Sequence, residues 1–301
     1  MKFFNKLVKL SAVGVLGITC LTGCFKGDSM EGIEIVTTKY PITYAINMLY
    51  GDYSNITSVY PNGVDVDEYK ITDKKAKEYS KSNMLIYNGL SKEGDLAISF
   101  LNNNKDIKLI DVSKGLCIKN KESKDCSIYS EDEIWINPGN YLMVTQNIKN
   151  DLESYINSTV ILKDIDEKFE DLKLIISTFD AELKMVKENA SDSQIVVTNN
   201  SFKFLASKYG YKVYSIDEKS DEYTSADYNK ALSAVKNNNI KYIFMLEGDE
   251  ETEKVKTLVS NGATKVVINS LSNLDDEEIN EGVNYKSIME NFIELLKQEV
   301  Y

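Results

Sequence analysis

The side chains in this 301-residue sequence that could carry chemistry are carboxylates, lysines and four cysteines. Histidine is absent, which removes the commonest general base, every Ser–His or Cys–His nucleophile pair and the commonest zinc ligand. All 35 basic residues are lysine, so no guanidinium group can bind a phosphate or carboxylate through two parallel hydrogen bonds. The 47 Asp and Glu residues are the most abundant ionisable groups. This composition favours cation binding over nucleophilic catalysis.

The formal net charge of the whole chain is −12. Residues 1–23 contain three lysines and no acid, so the rest of the chain has 32 lysines against 47 acids and a net charge of −15. A surface this acidic repels nucleic acids and anionic lipids and attracts cations. We therefore expect no nucleic-acid partner.

The N-terminal segment indicates export. Three lysines precede an apolar run over residues 10–21, which is too short to span a bilayer comfortably and is typical of a signal peptide. The run ends in Leu21-Thr22-Gly23-Cys24, the pattern of a lipobox. We expect residues 1–23 to be removed, Cys24 to carry lipid on the outer face of the bacterial cytoplasmic membrane, and residues 24–32 to form a tether.

Two further cysteines, Cys117 and Cys126, lie in a segment rich in Lys, Ser and Asp. Cys20 belongs to the predicted signal peptide and Cys24 to the lipobox, so only Cys117 and Cys126 remain for other roles. Outside the cell, a local disulfide is the first expectation for them. Two free thiols or a pair that binds a soft metal are the alternatives.

The elements that would position these side chains alternate between buried strands and amphipathic helices. Largely continuous apolar runs are typical of parallel strands buried on both faces. The predicted strands are Ile33–Thr37, Met84–Tyr87, Lys108–Val112, Ile195–Thr198, Lys212–Ile216, Tyr242–Leu246 and Lys265–Ile268. Helices are predicted near residues 42–49, 73–80, 92–101, 202–209, 226–237, 251–260 and 285–300. This alternation predicts an α/β protein with two lobes, each containing a parallel sheet flanked by helices.

Between the two series lies the longest helical pattern in the chain. Apolar residues recur there at spacings of three and four, without Gly or Pro, at Leu162, Ile165, Phe169, Leu172, Ile176, Phe179, Leu183 and Val186. They predict one apolar stripe on a helix of about 25 residues, roughly 37 Å long, with a short coiled-coil seam as the alternative. A single rigid helix would restrict hinge motion. We expect an N-terminal lobe over 33–158, a bridging helix within 159–190 and a C-terminal lobe over 191–301.

The three prolines mark chain reversals. Tyr40-Pro41 is predicted to end the first strand, while Tyr60-Pro61-Asn62-Gly63 and Asn137-Pro138-Gly139-Asn140 are predicted as turns. Loops that leave the carboxyl ends of parallel strands line the ligand crevice of open α/β sheets. The first of these three segments is therefore expected to face a cleft between the lobes.

Five motifs occur in order and carry a family resemblance, with Tyr285 and Met289 keeping part of a sixth. They are Pro61-Asn62-Gly63-Val64-Asp65-Val66-Asp67-Glu68-Tyr69-Lys70-Ile71-Thr72, Tyr87-Asn88-Gly89-Leu90, Asp111-Val112-Ser113-Lys114-Gly115, Glu133-Ile134-Trp135-Ile136-Asn137-Pro138 and Thr198-Asn199-Asn200-Ser201-Phe202. Together they resemble the metal-binding lipoproteins of zinc and manganese ABC importers. The resemblance implies two α/β lobes joined by one long helix, with a metal site between the lobes.

The resemblance also implies a ligand set. The family binds its metal with two His from the first lobe, a His or Glu from the second, and usually an Asp or Glu. The matching positions here are Asp67, Glu133, Asn199 and Asn269, so every imidazole is replaced. An oxygen-only site suits Mn²⁺, Ca²⁺ or Mg²⁺ and disfavours Zn²⁺ relative to an imidazole site. A shifted site would add Asp65, Glu68, Asn200 and Glu247. Asp132 is expected to point to solvent, because a strand through Glu133 would alternate.

The function that the resemblance implies is that of an extracytoplasmic substrate-binding lipoprotein. It would capture a divalent metal ion of the manganese or zinc class as cargo and use no organic cofactor. Its partners would be an ABC permease and its ATPase, with the chain tethered as a monomer. The same fold binding a non-metal ligand, or a ligand-free adhesin or sensor, is the alternative. An enzyme using Asp67 and Glu133 as a carboxylate pair would need an aromatic-lined groove, and the chain has one Trp.

Overall fold

Two parallel sheets form the centres of two lobes in the computed structural model, which describes residues 30–116, 130–220 and 222–301. Both sheets have four strands, and the strand order is β2-β1-β3-β4 in the first and β6-β5-β7-β8 in the second. The strands are β1 (Ile33–Thr37), β2 (Ser54–Ser58), β3 (Met84–Tyr87), β4 (Lys108–Asp111), β5 (Gln194–Val197), β6 (Lys212–Ser215), β7 (Tyr242–Leu246) and β8 (Thr264–Ile268). The predicted two-lobe α/β class is confirmed.

Ten α-helices accompany these strands in the described part of the chain. They are α1 (Tyr40–Tyr50), α2 (Asp73–Tyr79), α3 (Glu93–Asn103), α4 (Glu133–Ile136), α5 (Pro138–Glu153), α6 (Thr159–Asn189), α7 (Ser225–Lys236), α8 (Glu253–Ser260), α9 (Asp276–Asn280) and α10 (Tyr285–Val300). Among the described residues, none of these helices has the length and apolar character needed to cross a membrane. The predicted signal peptide, Cys24, Cys117 and Cys126 lie outside the described residues.

Helix α6 joins the two lobes and shares its core with both. It has 31 residues, about 46 Å at 1.5 Å per residue, and Ser158 caps its first turn by accepting a hydrogen bond from the Ile161 N–H at 3.4 Å. Its buried stripe packs against α1 and α5 in the first lobe and α10 in the second, within one continuous apolar cluster. The predicted bridging helix is confirmed. The shared core makes the junction between the lobes stiff.

The segment from 131 to 140 differs from the prediction. Residues 137–140 do not form an isolated turn, because α5 begins at Pro138, where the missing N–H of proline is tolerated. The Asn137 side chain caps the helix by accepting a hydrogen bond from the Gly139 N–H at 3.0 Å. Glu133 begins the short helix α4 and does not lie in a strand. The expected orientation of its neighbour Asp132 toward solvent assumed the alternating side chains of a strand, and this assumption therefore does not apply.

Two other elements also depart from the prediction. Residues 202–209 do not form one α-helix, but a 3₁₀ turn over Asn200–Phe202 and a π-helical turn over Leu205–Tyr209. Gly210, with φ of 79°, ends the second turn. Strand β2 was not predicted, because four of its five residues are polar and none is fully buried, so this edge strand has no apolar run.

Glu299, near the end of α10, provides a pH-dependent contact with β7. Its carboxylate accepts hydrogen bonds from the Tyr242 N–H at 2.8 Å and the Lys241 N–H at 3.1 Å. Burial raises its pKa from 4.5 to about 7 despite these bonds, so the folded state holds the proton more tightly than the unfolded state. The stability that this group contributes is present below about pH 4.5 and is lost as the pH rises through about 7.

We expect Glu299→Gln to remove this loss. As the pH rises from about 4 to about 8, the unfolding free energy of the variant should increase by roughly 2 kcal/mol relative to that of wild type, allowing for some solvent screening. Urea denaturation at a series of pH values measures this difference. The exposed Glu294 on the same helix supplies the control variant, Glu294→Gln, which removes a carboxylate that makes no contact with β7. A flat difference for Glu299→Gln would show that its carboxylate titrates normally.

Candidate functional site

A cavity of about 400 Å³ lies between the two lobes. Residues 63–67 and Asp132 line it from the first lobe. Asn199, residues 246–249 and five residues of the loop 270–278 line it from the second lobe. The second-lobe segments follow the carboxyl ends of β5, β7 and β8, which is where open parallel sheets bind ligands. The fold thus brings loops that are distant in sequence to one cleft.

The walls of this cavity are strongly acidic. No lysine of the described residues lines it. Seven carboxylates do, and they belong to Asp65, Asp67, Asp132, Glu247, Asp249, Asp275 and Glu278. A concave surface lined by one sign of charge concentrates ions of the opposite sign. Within the described part of the chain, no three His, Cys, Asp or Glu side chains are grouped closely enough to hold a metal ion. The acids therefore surround the cavity without converging on one point.

The turn after β2 is held against the second lobe. Gly63 has a φ of 70°, and a Cβ atom added to it would lie 3.1 Å from the Asp275 Cβ, so glycine is required for both reasons. The Gly63 N–H donates to the Leu274 carbonyl oxygen at 3.0 Å. The Asn273 side chain donates to the Pro61 carbonyl oxygen at 2.7 Å. These contacts place the following acids on the cavity wall.

Two of the four predicted ligands, Asp67 and Asn199, line the cavity. The Asp67 side chain is 79% exposed and lies 3.9 Å from the Lys92 ammonium group. The Asn199 side chain is already engaged, because its oxygen accepts hydrogen bonds from the Ser201 N–H at 2.8 Å and the Ser201 hydroxyl at 2.5 Å. Its amide nitrogen donates to Asp249 at 3.2 Å.

The other two predicted ligands, Glu133 and Asn269, do not line the cavity. Glu133 is fully buried in the first turn of α4. The Asn269 amide nitrogen donates to Glu278 at 2.7 Å, and its oxygen accepts from the Leu271 N–H at 2.7 Å. Asn269 thus shapes the loop after β8. The four-residue ligand set stays a prediction.

The second-line candidates divide in the same way. Asp65 and Glu247 line the cavity, whereas Glu68 and Asn200 do not. One oxygen of Asp65 accepts a hydrogen bond from the Asp67 N–H at 2.8 Å, which orders the acidic turn. Asn200 instead accepts a hydrogen bond from the Ser215 hydroxyl at 2.9 Å within the second lobe.

Asp132 lies on the cavity wall, so the expectation that it points to solvent was wrong. It precedes helix α4, where the alternation of a strand is absent. Its Oδ1 accepts a hydrogen bond from the Ser272 hydroxyl at 3.3 Å, across the cleft. Burial raises the pKa of Asp132 from 3.8 to about 6, the nearby Lys39 ammonium group opposing part of that rise.

Three cavity acids of the second lobe, Asp249, Asp275 and Glu278, were not predicted. Asp275 and Glu278 form a capping box at the start of α9, and the pattern of an acid followed three residues later by Glu was a signal for them. Asp249 accepts hydrogen bonds from the Thr198 hydroxyl at 2.5 Å and the Leu246 N–H at 3.0 Å. The rule for crevice loops could have indicated Asp249, because it follows β7.

Glu247 differs from these capping acids. No hydrogen bond or ion pair to its carboxylate is formed by the residues that the structure describes. Partial burial raises its pKa, and the nearby Glu278 and Asp275 carboxylates raise it further. Among the described residues, no hydrogen bond to the carboxylate of Glu247 or Asp67 is formed, and Asp132 accepts only the long one from Ser272 at 3.3 Å.

The sequence model of the ZnuA family, described as zinc-uptake complex component A, periplasmic, matches residues 35–299. The chain belongs to the ZnuA family. The resemblance to the lipoproteins of zinc and manganese importers is confirmed at the level of the family.

Two relatives illustrate the range of the family. The high-affinity zinc uptake system protein ZnuA of Bacillus subtilis (strain 168) is 23% identical, over 99% of this chain and 98% of its own length. The manganese ABC transporter substrate-binding lipoprotein PsaA of Streptococcus anginosus is 24% identical, over 96% of each chain.

Solved structures share the fold of this ZnuA-family chain. The metal-dependent lipoprotein YcdH from Bacillus subtilis matches with a TM-score of 0.71 and 21% identity, over 89% of this chain and 99% of the other. The Zn(II)-bound ZnuA-like domain of AdcA from Streptococcus pneumoniae matches with a TM-score of 0.70 and 21% identity, over the same shares. At this identity the likeness shows the fold and leaves the ligand open.

Proposed function

We propose that this chain is the substrate-binding lipoprotein of an ABC importer and that it captures a divalent metal ion between its lobes. The observation that carries the proposal is the interlobe cavity, which has carboxylates on both walls and no lysine from the described residues. The names of the two relatives, for zinc uptake and manganese transport, support a metal cargo. Lipid on Cys24 would hold the chain on the outer face of the cytoplasmic membrane, beside a permease that its cognate ATPase drives.

The metal site that we propose consists of oxygen ligands only. Asp67 and Asp132 would contribute from the first lobe and Glu247 from the second, because their carboxylates accept either no hydrogen bond from the described residues or, for Asp132, only a long one at 3.3 Å. Hard oxygen ligands favour Mn²⁺, Mg²⁺ or Ca²⁺ over Zn²⁺ relative to an imidazole site. We therefore expect the preference for Zn²⁺ over Mn²⁺ to be smaller than at an imidazole site. The predicted ligands Glu133 and Asn269 would have to turn toward the cavity to contribute.

Capture of a cation would change the electrostatics of the cleft. Without a bound cation, the carboxylates of the two lobes repel one another. A divalent ion between them would attract the carboxylates of both lobes and so outweigh their mutual repulsion. The ligand would shift the population toward arrangements in which the acidic loops lie closer together. Because α6 and the shared core are stiff, we expect this change to be confined to the loops. The permease would recognise the resulting surface.

An organic cation is the second candidate ligand. A cavity of about 400 Å³ is larger than a metal ion requires and lies within the range of small-molecule pockets. The same acidic walls would bind a ligand with amino groups. Competition between such a compound and a metal ion would distinguish the two cargoes.

Calorimetric titration of the purified full chain with Mn²⁺, Zn²⁺, Ca²⁺ and Mg²⁺ tests the proposal. Asp67→Asn and Glu247→Gln should each weaken Mn²⁺ binding about tenfold, since each removes one carboxylate, which corresponds to about 1.4 kcal/mol. Glu68→Gln and Glu250→Gln are the matched controls, because these exposed neighbours carry the same charge and do not line the cavity. A wild-type chain that binds none of the four ions would refute the metal cargo, and binding of an amine alone would establish the second candidate.

A further inference from the structure

Lys39 is a buried lysine at the back of the first-lobe wall. It lies between β1 and α1 and is 2% exposed, although lysine is rarely buried unless it is paired. Its ammonium nitrogen lies 3.1 Å from Glu131 Oε2. The same nitrogen lies 5.2 Å from the centre of the Trp135 ring, within the distance of a cation–π contact. Lys39 is thus held on two sides.

Several carboxylates act on this one ammonium group. Burial alone would lower the pKa of Lys39, but four carboxylates together raise it above its ordinary value, in the order Asp132, Glu131, Glu93 and Asp67. Lys39 therefore keeps its positive charge in the folded protein. Two of the four acids, Asp132 and Asp67, line the interlobe cavity. Asp132 follows directly after Glu131, the ion-pair partner of Lys39, so it is the cavity carboxylate that the lysine and a cation in the cavity would share.

We propose that Lys39 is a built-in cation that competes with divalent metal ions for the carboxylates of the first-lobe wall and thereby sets the affinity of the cleft. This inference rests on the proposed function. The positive charge of Lys39 opposes the binding of a second cation in the cavity in two ways. The two cations repel each other, and the ammonium group partly neutralises the Asp132 carboxylate that the ion would use. Only an ion whose attraction to these carboxylates exceeds the opposing effect of the Lys39 ammonium group would stay bound.

Lys39→Met tests this inference because it removes the charge and keeps an unbranched apolar side chain. We expect the variant to bind Mn²⁺ and Ca²⁺ at least tenfold more tightly than wild type in calorimetric titrations of the full chain. Lys81→Met is the matched control, since it removes the same charge from an exposed position of the first lobe and should leave both affinities unchanged. Lys39→Gln is the second neutral variant if Lys39→Met does not fold.

Trp135 provides a direct probe, because it is the only tryptophan in the chain. Ca²⁺ has no unpaired electrons and does not itself quench indole, so an emission change reports the surroundings of the ring. Saturation of wild type with Ca²⁺ should change Trp135 emission as the ammonium group shifts. The change should be smaller in Lys39→Met, which has no ammonium group to shift.

The outcomes separate this inference from the proposed function. If wild type binds an ion and Lys39→Met binds it no more tightly, or if the Trp135 emission changes equally in both, the competing role of Lys39 is wrong while the metal cargo stands. If only Lys39→Met binds an ion, the competing role is supported and the metal cargo of wild type is refuted. If neither chain binds an ion, both proposals fail.

Discussion

Leu172→Ala is expected to lower the free energy of unfolding by about 3 kcal/mol, whereas Leu174→Ala should change it by less than about 0.5 kcal/mol. Leu172 is fully buried in the core stripe of α6, while Leu174, two residues away on the same helix, is 68% exposed. Both substitutions remove the same atoms and change helix propensity equally. The difference between them therefore isolates the burial of Leu172, including the cavity that its loss would leave.

Urea denaturation followed by circular dichroism measures both variants. Because α6 shares one apolar cluster with both lobes, we expect a single transition for each protein. Equal losses in the two variants would contradict the burial of the stripe. Two separate transitions in Leu172→Ala would show that the lobes unfold independently and that the shared core contributes little.

Tyr285→Ala is expected to be the most destabilising substitution, at about 4 kcal/mol. Tyr285 begins α10 in the second lobe and is fully buried against first-lobe residues. Its ring centre lies 4.1 Å from that of Tyr141, and its hydroxyl donates to the Trp135 carbonyl oxygen at 2.9 Å. Truncation would open a cavity at the junction of the lobes and leave that buried carbonyl without its donor.

Tyr285→Phe separates the two contributions, because it keeps the ring and removes only the hydroxyl. We expect it to cost about 1 to 2 kcal/mol, which is the cost of leaving one buried acceptor unsatisfied. Chemical denaturation of both variants under the same conditions gives the comparison. No loss in Tyr285→Phe would mean that the Trp135 carbonyl finds another donor, and a loss as large as that of Tyr285→Ala would mean that ring packing contributes nothing.

The regular elements were largely predictable because their signals are local. Strand β3 and helix α10 begin and end where the apolar patterns placed them. The whole of α5 was missed, and its first residues, Asn137-Pro138-Gly139, suit a turn as well as a capped helix start, so that only the following packing distinguishes the two. Strand β2 was missed because an edge strand needs no continuous apolar run.

The sequence by itself determined the class of site. The absence of His and Arg, the excess of acids and the ordered motifs predicted an acidic cleft between two α/β lobes and indicated Asp67 and Asn199, which line it. Composition constrains which ligand atoms exist, and the two positions are what the resemblance to the importer lipoproteins implied.

Only the tertiary structure decided which acids face the cavity and which cation already lies behind its wall. Asp132 and Glu247 line the same cavity although more than a hundred positions separate them, and Lys39 pairs with Glu131 at a separation of 92 positions. No local pattern encodes such pairs, since any of the 47 acids could neutralise a lysine. The partner of a buried charge depends on how the lobes pack, because the energy of an ion pair falls with distance and with exposure to water.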